Sequence, residues 1–289
     1  MRSATRTYGT ILALIASGAL LASCGQDTTA TETSTLDLTS APTVAATPDV
    51  PAAPPVDPAV AFKTGVAQYE NGDYAGAAAS LQSAATTPYR RYLLGLAQWK
   101  SGDLVGAEAS LAGSVADDPS RLKGWINLAR VRHDLRDRKG ALEASEKALL
   151  LDPVSADALH QKGRALMELK RGSEALEALT AAHDLDTDSG YIANTLGLLL
   201  IQLGRPGDAV PPLEAAKTAL PHIAYVRNNL GVAYERTGRL DDAKIEYQAA
   251  VDSGDMGGKA MMSLVRLGAT DTTPTTEITE TASVPAKGE

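Results

Sequence analysis

Residues 229–250 read NLGVAYERTGRLDDAKIEYQAA, and this stretch decides the fold. Apolar and small residues recur three or four positions apart on either side of Thr237-Gly-Arg, which is the spacing of one face of an α-helix. The glycine and its polar neighbours interrupt that spacing, as turn residues do. The stretch therefore predicts two antiparallel helices joined by a short turn.

Small residues of this stretch recur along the chain with a period of 34 residues. One set comprises Gly95, Ala129, Gly163, Gly197 and Gly231, and a second set, 12 residues later, comprises Ala107, Ala141, Ala175, Ala209 and Ala243. A shorter unit with Gly65 and Ala77 precedes them at a spacing of 30. Small side chains let two helix axes approach closely. We therefore predict about six helix pairs, each with a glycine or alanine facing an alanine.

This pattern resembles the tetratricopeptide repeat (TPR). The last unit carries the family's motif at Leu230, Gly231, Tyr234, Gly238, Ala243, Tyr247 and Ala250, and the third carries it at Trp125, Leu128, Ala141, Ala148 and Pro153. The resemblance implies an all-α, right-handed superhelical solenoid of about six repeats over residues 59–257. Residues 258–269 are predicted to form a helix that caps the last repeat.

Two units depart from the repeat. The first is four residues short and ends at Thr87-Pro88, which predicts a truncated second helix. The fifth carries Pro211 and Pro212 within its second helix. Because proline removes a backbone hydrogen bond and clashes with the preceding turn, we expect a kink or a late start of that helix.

The amino-terminal segment predicts export and a lipid anchor. Two arginines precede an apolar run of about a dozen residues, the layout of a secretory signal peptide, whereas a membrane span needs ~20. Cys24, the only cysteine in the chain, follows Leu-Ala-Ser, and the segment resembles the bacterial lipobox. The resemblance implies a signal peptide over residues 1–23 and diacylglyceryl and acyl lipid on Cys24. The alternative is an ordinary signal peptide with a chance cysteine.

Two segments that flank the repeats are predicted to be disordered. Residues 24–58 are rich in Thr, Ala and Pro and contain five acidic and no basic residues, and residues 270–289 are similar in composition. Such segments bury too little apolar surface to offset their ordering entropy. We interpret them as a tether and a tail that carry most of the net charge of −8. The repeats are then nearly neutral, so the charge gives no basis for nucleic-acid binding.

The TPR resemblance also implies a partner site, because the family binds peptides or extended protein segments on the concave face made by the first helices. The positions carried over unit by unit are Phe62 and Tyr69; Tyr92 and Trp99; Lys123, Arg130 and His133; His160, Arg164 and Met167; Tyr191, Asn194 and Ile201; and Tyr225, Asn228 and Glu235. Amides suit recognition of an extended backbone, aromatic residues anchor side chains, and Arg or Lys can take a carboxylate. Any of these aromatic residues could instead pack between repeats.

The sequence offers no credible catalytic or metal site. The four histidines lack metal-ligand spacing, although His133 and His160 are placed on adjacent first helices. The segment SGDMGGKA, residues 253–260, lacks the first glycine, the Ser or Thr and the preceding strand of a phosphate loop. We predict a protein that is not an enzyme and that needs no cofactor beyond its lipid.

The features together predict a lipid-anchored scaffold that binds a protein or peptide and assists assembly of an envelope, pilus or secretion complex. Its layout is similar to that of the TPR lipoprotein of tight-adherence (Tad) pilus assembly. We expect it in the bacterial cell envelope, at the outer membrane facing the periplasm, because Gly25 and not Asp follows the cysteine. Two alternatives stay open. One is a peptidoglycan- or glycan-binding factor with saccharide on Tyr92, Trp99, Tyr191 and Tyr225, and the other is a self-associating structural lipoprotein.

Overall fold

The computed structural model describes residues 57–255 and 257–268. The predicted signal peptide, Cys24, most of the tether and the tail lie outside these residues. The described part contains thirteen α-helices and no strand. Their bounds are α1 Pro58–Glu70, α2 Tyr74–Ser83, α3 Pro88–Ser101, α4 Leu104–Asp117, α5 Leu122–Asp134, α6 Arg138–Leu151, α7 Ala156–Glu168, α8 Gly172–Leu185, α9 Gly190–Gln202, α10 Pro206–Ala219, α11 Ala224–Arg236, α12 Leu240–Asp252 and α13 Lys259–Arg266.

The helices form six consecutive pairs, and each helix packs on the next one along the chain. The odd-numbered helices α1 to α11 are the first helices of the repeats, and they also contact one another in order. This arrangement is the predicted all-α TPR solenoid. The second helix of the first repeat, α2, has 10 residues where α4 has 14, which is the truncation expected from the four missing residues.

The two helices of a pair approach closely at the repeated small residue. A Cβ atom added to Gly163 would lie 2.5 Å from Cγ of Leu179, and one added to Gly197 would lie 2.4 Å from Cγ of Leu213. The side chain over the glycine thus comes 16 residues later. The alanine 12 residues later contributes its carbonyl oxygen, 3.2 Å from the added atom at Gly65. The predicted contact between two small residues is therefore a contact of the glycine with the backbone carbonyl oxygen of the alanine.

The start of the second helices follows two different designs. In α2, α4 and α6 an aspartate, such as Asp73, accepts a hydrogen bond from the backbone N–H three residues later. This contact satisfies a donor that the helix leaves unpaired. In α8, α10 and α12 an arginine replaces the aspartate and forms an ion pair with an acid three residues later, as Arg205 does with Asp208 at 2.7 Å. The acid in the first turn also stabilises the positive end of the helix dipole.

The turn between the two helices of each repeat contains one residue with a left-handed backbone. Four repeats place a glycine there, with φ between 74° and 92° at Gly72, Gly102, Gly204 and Gly238. The third and fourth repeats place Arg136 (φ 63°) and Lys170 (φ 62°) at the same position. A residue with a Cβ atom is strained in this conformation. These two turns therefore lower the stability of the fold.

The helix with internal prolines begins earlier than expected. α10 starts at Pro206 and continues past Pro211 and Pro212 to Ala219. Of the two outcomes expected from the prolines, a kink or a late start, the late start is therefore wrong. A first-position proline suits a helix start because that N–H has no intrahelical partner. Packing of the buried Leu213 under Gly197 fixes the helix across the two internal prolines.

The last helix, α13, packs on α12 and buries Ala260 and Leu264. Leu264 follows Leu230 by 34 residues, so α13 occupies the place of a seventh first helix. Val265 then stands where Gly231 stands in α11, and it is 57% exposed. α13 thus covers the apolar end of the sixth repeat and carries no second helix of its own in the described residues.

Candidate functional site

Hydrogen bonds between successive first helices fix the candidate site, and they join residues that are 35 positions apart. Asn127 Nδ2 donates to the hydroxyl of Tyr92 at 3.0 Å, and Trp99 Nε1 donates to Asp134 at 2.8 Å. Further along, Asn229 Nδ2 donates to Asn194 Oδ1 at 2.9 Å. Because the repeat is 34 residues, each first helix is displaced by one residue relative to the one before it. These contacts hold the groove-facing side chains in defined positions.

The first helices of the second to sixth repeats enclose a groove of about 590 Å³, which we call the central groove. Its walls are partly aromatic, partly amide and partly charged. The lining residues are Trp99, Lys100, Arg130, Asp134, Asp157, His160, Gln161, Arg164, Ser189, Tyr191, Asn194, Thr195 and Tyr225. Seven of the predicted groove residues therefore line one continuous surface.

A smaller cavity of about 310 Å³ adjoins the central groove, and we call it the side pocket. The two cavities share Arg164 and Thr195. The side pocket is lined by His133, Arg164, Met167, Glu168, Lys170, Thr195, Leu198 and Gln202. The predicted residues His133 and Met167 thus lie next to the central groove, at the ends of α5 and α7.

Seven of the sixteen carried-over positions line neither cavity. Three of them, Tyr92, Lys123 and Asn228, lie on or near the first helices without lining a cavity. The ring of Tyr92 stacks on Tyr89, with 6.3 Å between ring centroids, and packs against the core of the second and third repeats. Lys123 is exposed, and Asn228 is half-buried with no hydrogen-bond partner for its Oδ1 among the described residues.

The other carried-over positions act mainly in packing. Phe62 and Tyr69 pack on the core of the first two repeats, and Ile201 is buried. Glu235 accepts hydrogen bonds from Tyr247 and from Arg266 of α13. The packing role that the sequence left open for aromatic residues thus applies at the first repeat.

Two arginines in the central groove differ in their partners. Arg130 Nη2 forms an ion pair with Asp157 at 2.7 Å. Arg164 Nη1 donates to Gln161 Oε1 at 3.1 Å, and Arg164 forms no ion pair within the described residues. Burial lowers the pKa of the Arg164 guanidinium below its ordinary value, but an arginine stays charged in proteins. Arg164 is therefore a half-buried positive charge that forms no ion pair in the part of the chain that the structure describes, although the carboxylates of Asp134 and Glu168 act on it from a distance.

Two neutral imidazoles flank Arg164. Burial, and then the positive charges of Arg164 and Arg130, lower the pKa of His160 to about 3. Burial and Arg164 also lower the pKa of His133, whose Nδ1 lies 3.3 Å from Glu168. Both histidines are thus uncharged at neutral pH. An anionic ligand would therefore meet the positive charge of Arg164, together with Lys100 in the central groove or Lys170 in the side pocket.

Several residues of the site were missed from the sequence. Asp134, Asp157 and Gln161 line the central groove, and Lys170 and Leu198 line the side pocket. Asp134 lies 35 residues after the groove position Trp99, and Gln161 lies directly after the groove position His160. Taking the one-residue displacement between successive first helices into account would have predicted both positions.

The described residues contain no group of three His, Cys, Asp or Glu side chains that could hold a metal ion. None of the thirteen helices is long and apolar enough to cross a membrane.

Comparison with known proteins identifies the class. The tetratricopeptide repeat family matches residues 45–91, 62–121 and 194–256, and a second description of the same repeat matches residues 122–155. Together these matches cover more than half of the chain. The chain belongs to the tetratricopeptide repeat family. No match is found among curated proteins.

Solved structures share the fold. A thermophilic TPR protein of Thermus thermophilus is 20% identical, with a TM-score of 0.53, and the match covers 63% of this chain and 98% of that one. MamA from residue 41 to its end, from Desulfovibrio magneticus, is 18% identical, with a TM-score of 0.51, and the match covers 56% of this chain and 94% of that one. At these identities the likeness shows the fold alone.

Proposed function

We propose that this chain is an interaction scaffold that holds an extended segment of a partner protein in the central groove. The observation that carries the proposal is that five successive first helices, α3 to α11, line one continuous groove. Helix axes in contact are about 8–10 Å apart, and an extended chain advances about 3.3 Å per residue. The groove therefore suits a segment of roughly ten to twelve residues.

The groove offers the contacts that an extended segment needs. Tyr191 and Tyr225 are 55% and 48% exposed, so their ring faces are available to side chains of a ligand. The amide oxygen of Asn194 is used by Asn229, which leaves the Asn194 amide nitrogen to donate to a ligand carbonyl. Arg164 is available to a carboxylate. Aromatic and arginine anchors of this kind supply most of the binding energy at protein interfaces.

A photo-crosslink tests the proposal. A photoreactive residue in place of Tyr191, activated in cells that produce the protein, is expected to give adducts with one discrete partner. A second replacement, Tyr225→Ala, should reduce that adduct because it removes a neighbouring anchor. The matched control is a photoreactive residue at Val105, which is 73% exposed on the second helix α4 and outside both cavities.

Other crosslinking results would contradict the proposal. Equal adducts from Tyr191 and Val105 would mean that the groove has no special affinity. Adducts with the protein itself would favour self-association. Retention on purified cell-wall sacculi that is lost in Tyr191→Ala and Tyr225→Ala, without a protein adduct, would favour glycan binding at the same exposed rings.

The proposal includes attachment of the scaffold to a membrane through lipid on Cys24, with a role in assembly of an envelope, pilus or secretion complex. The support is the lipobox-like sequence before the cysteine and the Thr-, Ala- and Pro-rich segment after it. Metabolic labelling with an alkyne analogue of palmitate should label the wild-type protein and not Cys24→Ser. Equal labelling, or equal membrane recovery of both proteins, would refute the anchor and leave the groove proposal untouched.

A further inference from the structure

The side pocket combines positive charge with an apolar wall. The guanidinium of Arg164 donates one hydrogen bond, to Gln161, and the side-chain ammonium of Lys170, which also lines the pocket, forms neither a hydrogen bond nor an ion pair within the described residues. The pocket's carboxylate, Glu168, lies 3.3 Å from His133 Nδ1 and 3.7 Å from Arg138 Nε. Met167 and Leu198 supply the apolar surface. The pocket therefore presents two cations whose charge no carboxylate in hydrogen-bonding contact neutralises.

The position of Lys170 is an independent observation. It has φ 62° at the turn position where four of the six repeats carry glycine. A strained backbone persists only when something else favours the residue that bears it. Arg136 has the same strain, with φ 63°, in the preceding repeat and lines neither cavity. The strain alone therefore does not define a site, but Arg136 provides a matched control for Lys170.

We infer that the side pocket binds an acidic side chain and an adjacent bulky apolar side chain of the segment that lies in the central groove. The carboxylate is held between Arg164 and Lys170, and the apolar side chain packs on Met167 and Leu198. Charge-assisted hydrogen bonds to a half-buried guanidinium are stronger than those at an exposed surface. A volume of about 310 Å³ is at the small end of ligand pockets and suits side chains rather than a folded surface. The inference rests on the proposed peptide groove and specifies which ligand side chains that groove prefers.

Selection from a library of random twelve-residue peptides tests the inference. The library is displayed on phage and panned against the full-length protein in detergent. Wild-type protein is expected to enrich peptides in which Asp or Glu neighbours Leu, Ile, Met or Phe. Panning against Arg164→Met should remove the preference for the acidic residue and keep the preference for aromatic and apolar residues elsewhere.

Affinities of the strongest enriched peptide, labelled with a fluorophore, then separate the two cations. Arg164→Met is expected to weaken binding about tenfold, which is the scale of one hydrogen bond to a charged group. Lys170→Gly is expected to weaken it about three- to fivefold, because Lys170 is exposed. Replacement of the peptide's acidic residue by its amide should weaken binding to the wild type, and should have little further effect on Arg164→Met.

The pair Lys170→Gly and Arg136→Gly distinguishes a binding role from a structural one. Both changes relieve a left-handed side chain, so both should raise the melting temperature. Only Lys170→Gly should weaken the peptide. Equal affinity of all three proteins, or enrichment without an acidic residue, would overturn the inference and leave the peptide groove standing. Failure of the wild type to enrich any peptide would overturn the inference together with the proposed function.

Discussion

At the scale of single residues, His160 shows how the fold fixes a protonation state. The hydroxyl of Thr195 donates its one hydrogen to the carbonyl of Tyr191 at 2.8 Å. The ring Nε2 of His160, 2.9 Å from the same hydroxyl, must therefore carry a hydrogen and donate it. With Nε2–H donating and burial lowering the pKa to about 3, the neutral ring is held in one tautomer.

This residue makes stability depend on pH. The pKa of His160 falls from its ordinary value of 6.5 to about 3 in the folded chain, so the unfolded chain binds a proton that the folded chain rejects. The wild type therefore loses stability as pH falls below 6.5, by about 2 kcal/mol at pH 5 from this group alone. His160→Gln keeps a donor for Thr195 and should lack that loss when urea unfolding is compared at pH 7.5 and pH 5.

The control for this prediction is an exposed histidine. His222 lies in the loop before α11, and His222→Gln should follow the wild-type pH profile. A His160→Gln variant that loses as much stability as the wild type between the two pH values would show that the ring is not held neutral. Other titrating groups are common to all three proteins and cancel in the comparison.

At the scale of secondary-structure elements, the internal proline Pro211 lowers the stability of α10, and one substitution can remove this destabilisation. Pro211 cannot donate to the carbonyl of Gly207, and its ring crowds the preceding turn. Because Pro211 is exposed, Pro211→Ala loses little packing. We expect it to raise stability by about 1–2 kcal/mol, after allowance for the extra freedom that alanine gives the unfolded chain. Thermal denaturation followed by circular dichroism measures the change.

The neighbouring proline is the matched comparison. Pro212 is buried, so Pro212→Ala also removes apolar contacts and should gain less stability than Pro211→Ala. A Pro211→Ala protein no more stable than the wild type would mean that α10 accommodates the ring without cost. The sequence predicts a late start for α10 because proline disfavours a helix interior, whereas the packing of Leu213 under Gly197, which stabilises the helix across the prolines, cannot be read from the sequence.

At the scale of the whole repeat array, the buried apolar residues are unevenly distributed. The largest cluster extends from Leu166 to Leu264, whereas the cluster of the first two repeats contains only Ala77, Leu81, Leu94 and Ala97. Stability in a repeat protein is roughly a sum of local and nearest-neighbour terms. We expect hydrogen exchange to be fastest in α1 and α2 and slowest in α9 to α12. Uniform exchange across the helices would indicate one cooperative unit.

The array also shows which features a sequence can predict. The helix pairs could be predicted because Gly163, Gly197 and Gly231 lie where the helices touch, and the contact itself imposes the 34-residue period. The partners of the two groove arginines, Arg130 and Arg164, could not be predicted from the sequence. Arg130 is neutralised by Asp157 from the next first helix, and Arg164 has no such acid within the described residues. The residue 27 positions after Arg130 is Asp157, whereas the residue 27 positions after Arg164 is Tyr191. The repeat motif does not show that side chains at this separation meet, so the structure is needed to see it.

Val265 of α13 has a consequence for how this protein can evolve. Tandem arrays lengthen when a segment of the gene is duplicated, and a new unit must then dock a second helix against its own first helix. At Gly231 even one added carbon would lie 2.7 Å from the ring of Tyr247, and at the corresponding position α13 has a valine. A unit added after α13 would therefore need a smaller residue at position 265, whereas a unit inserted upstream of α13 would not. Insertion upstream of α13 would lengthen the row of first helices that lines the central groove.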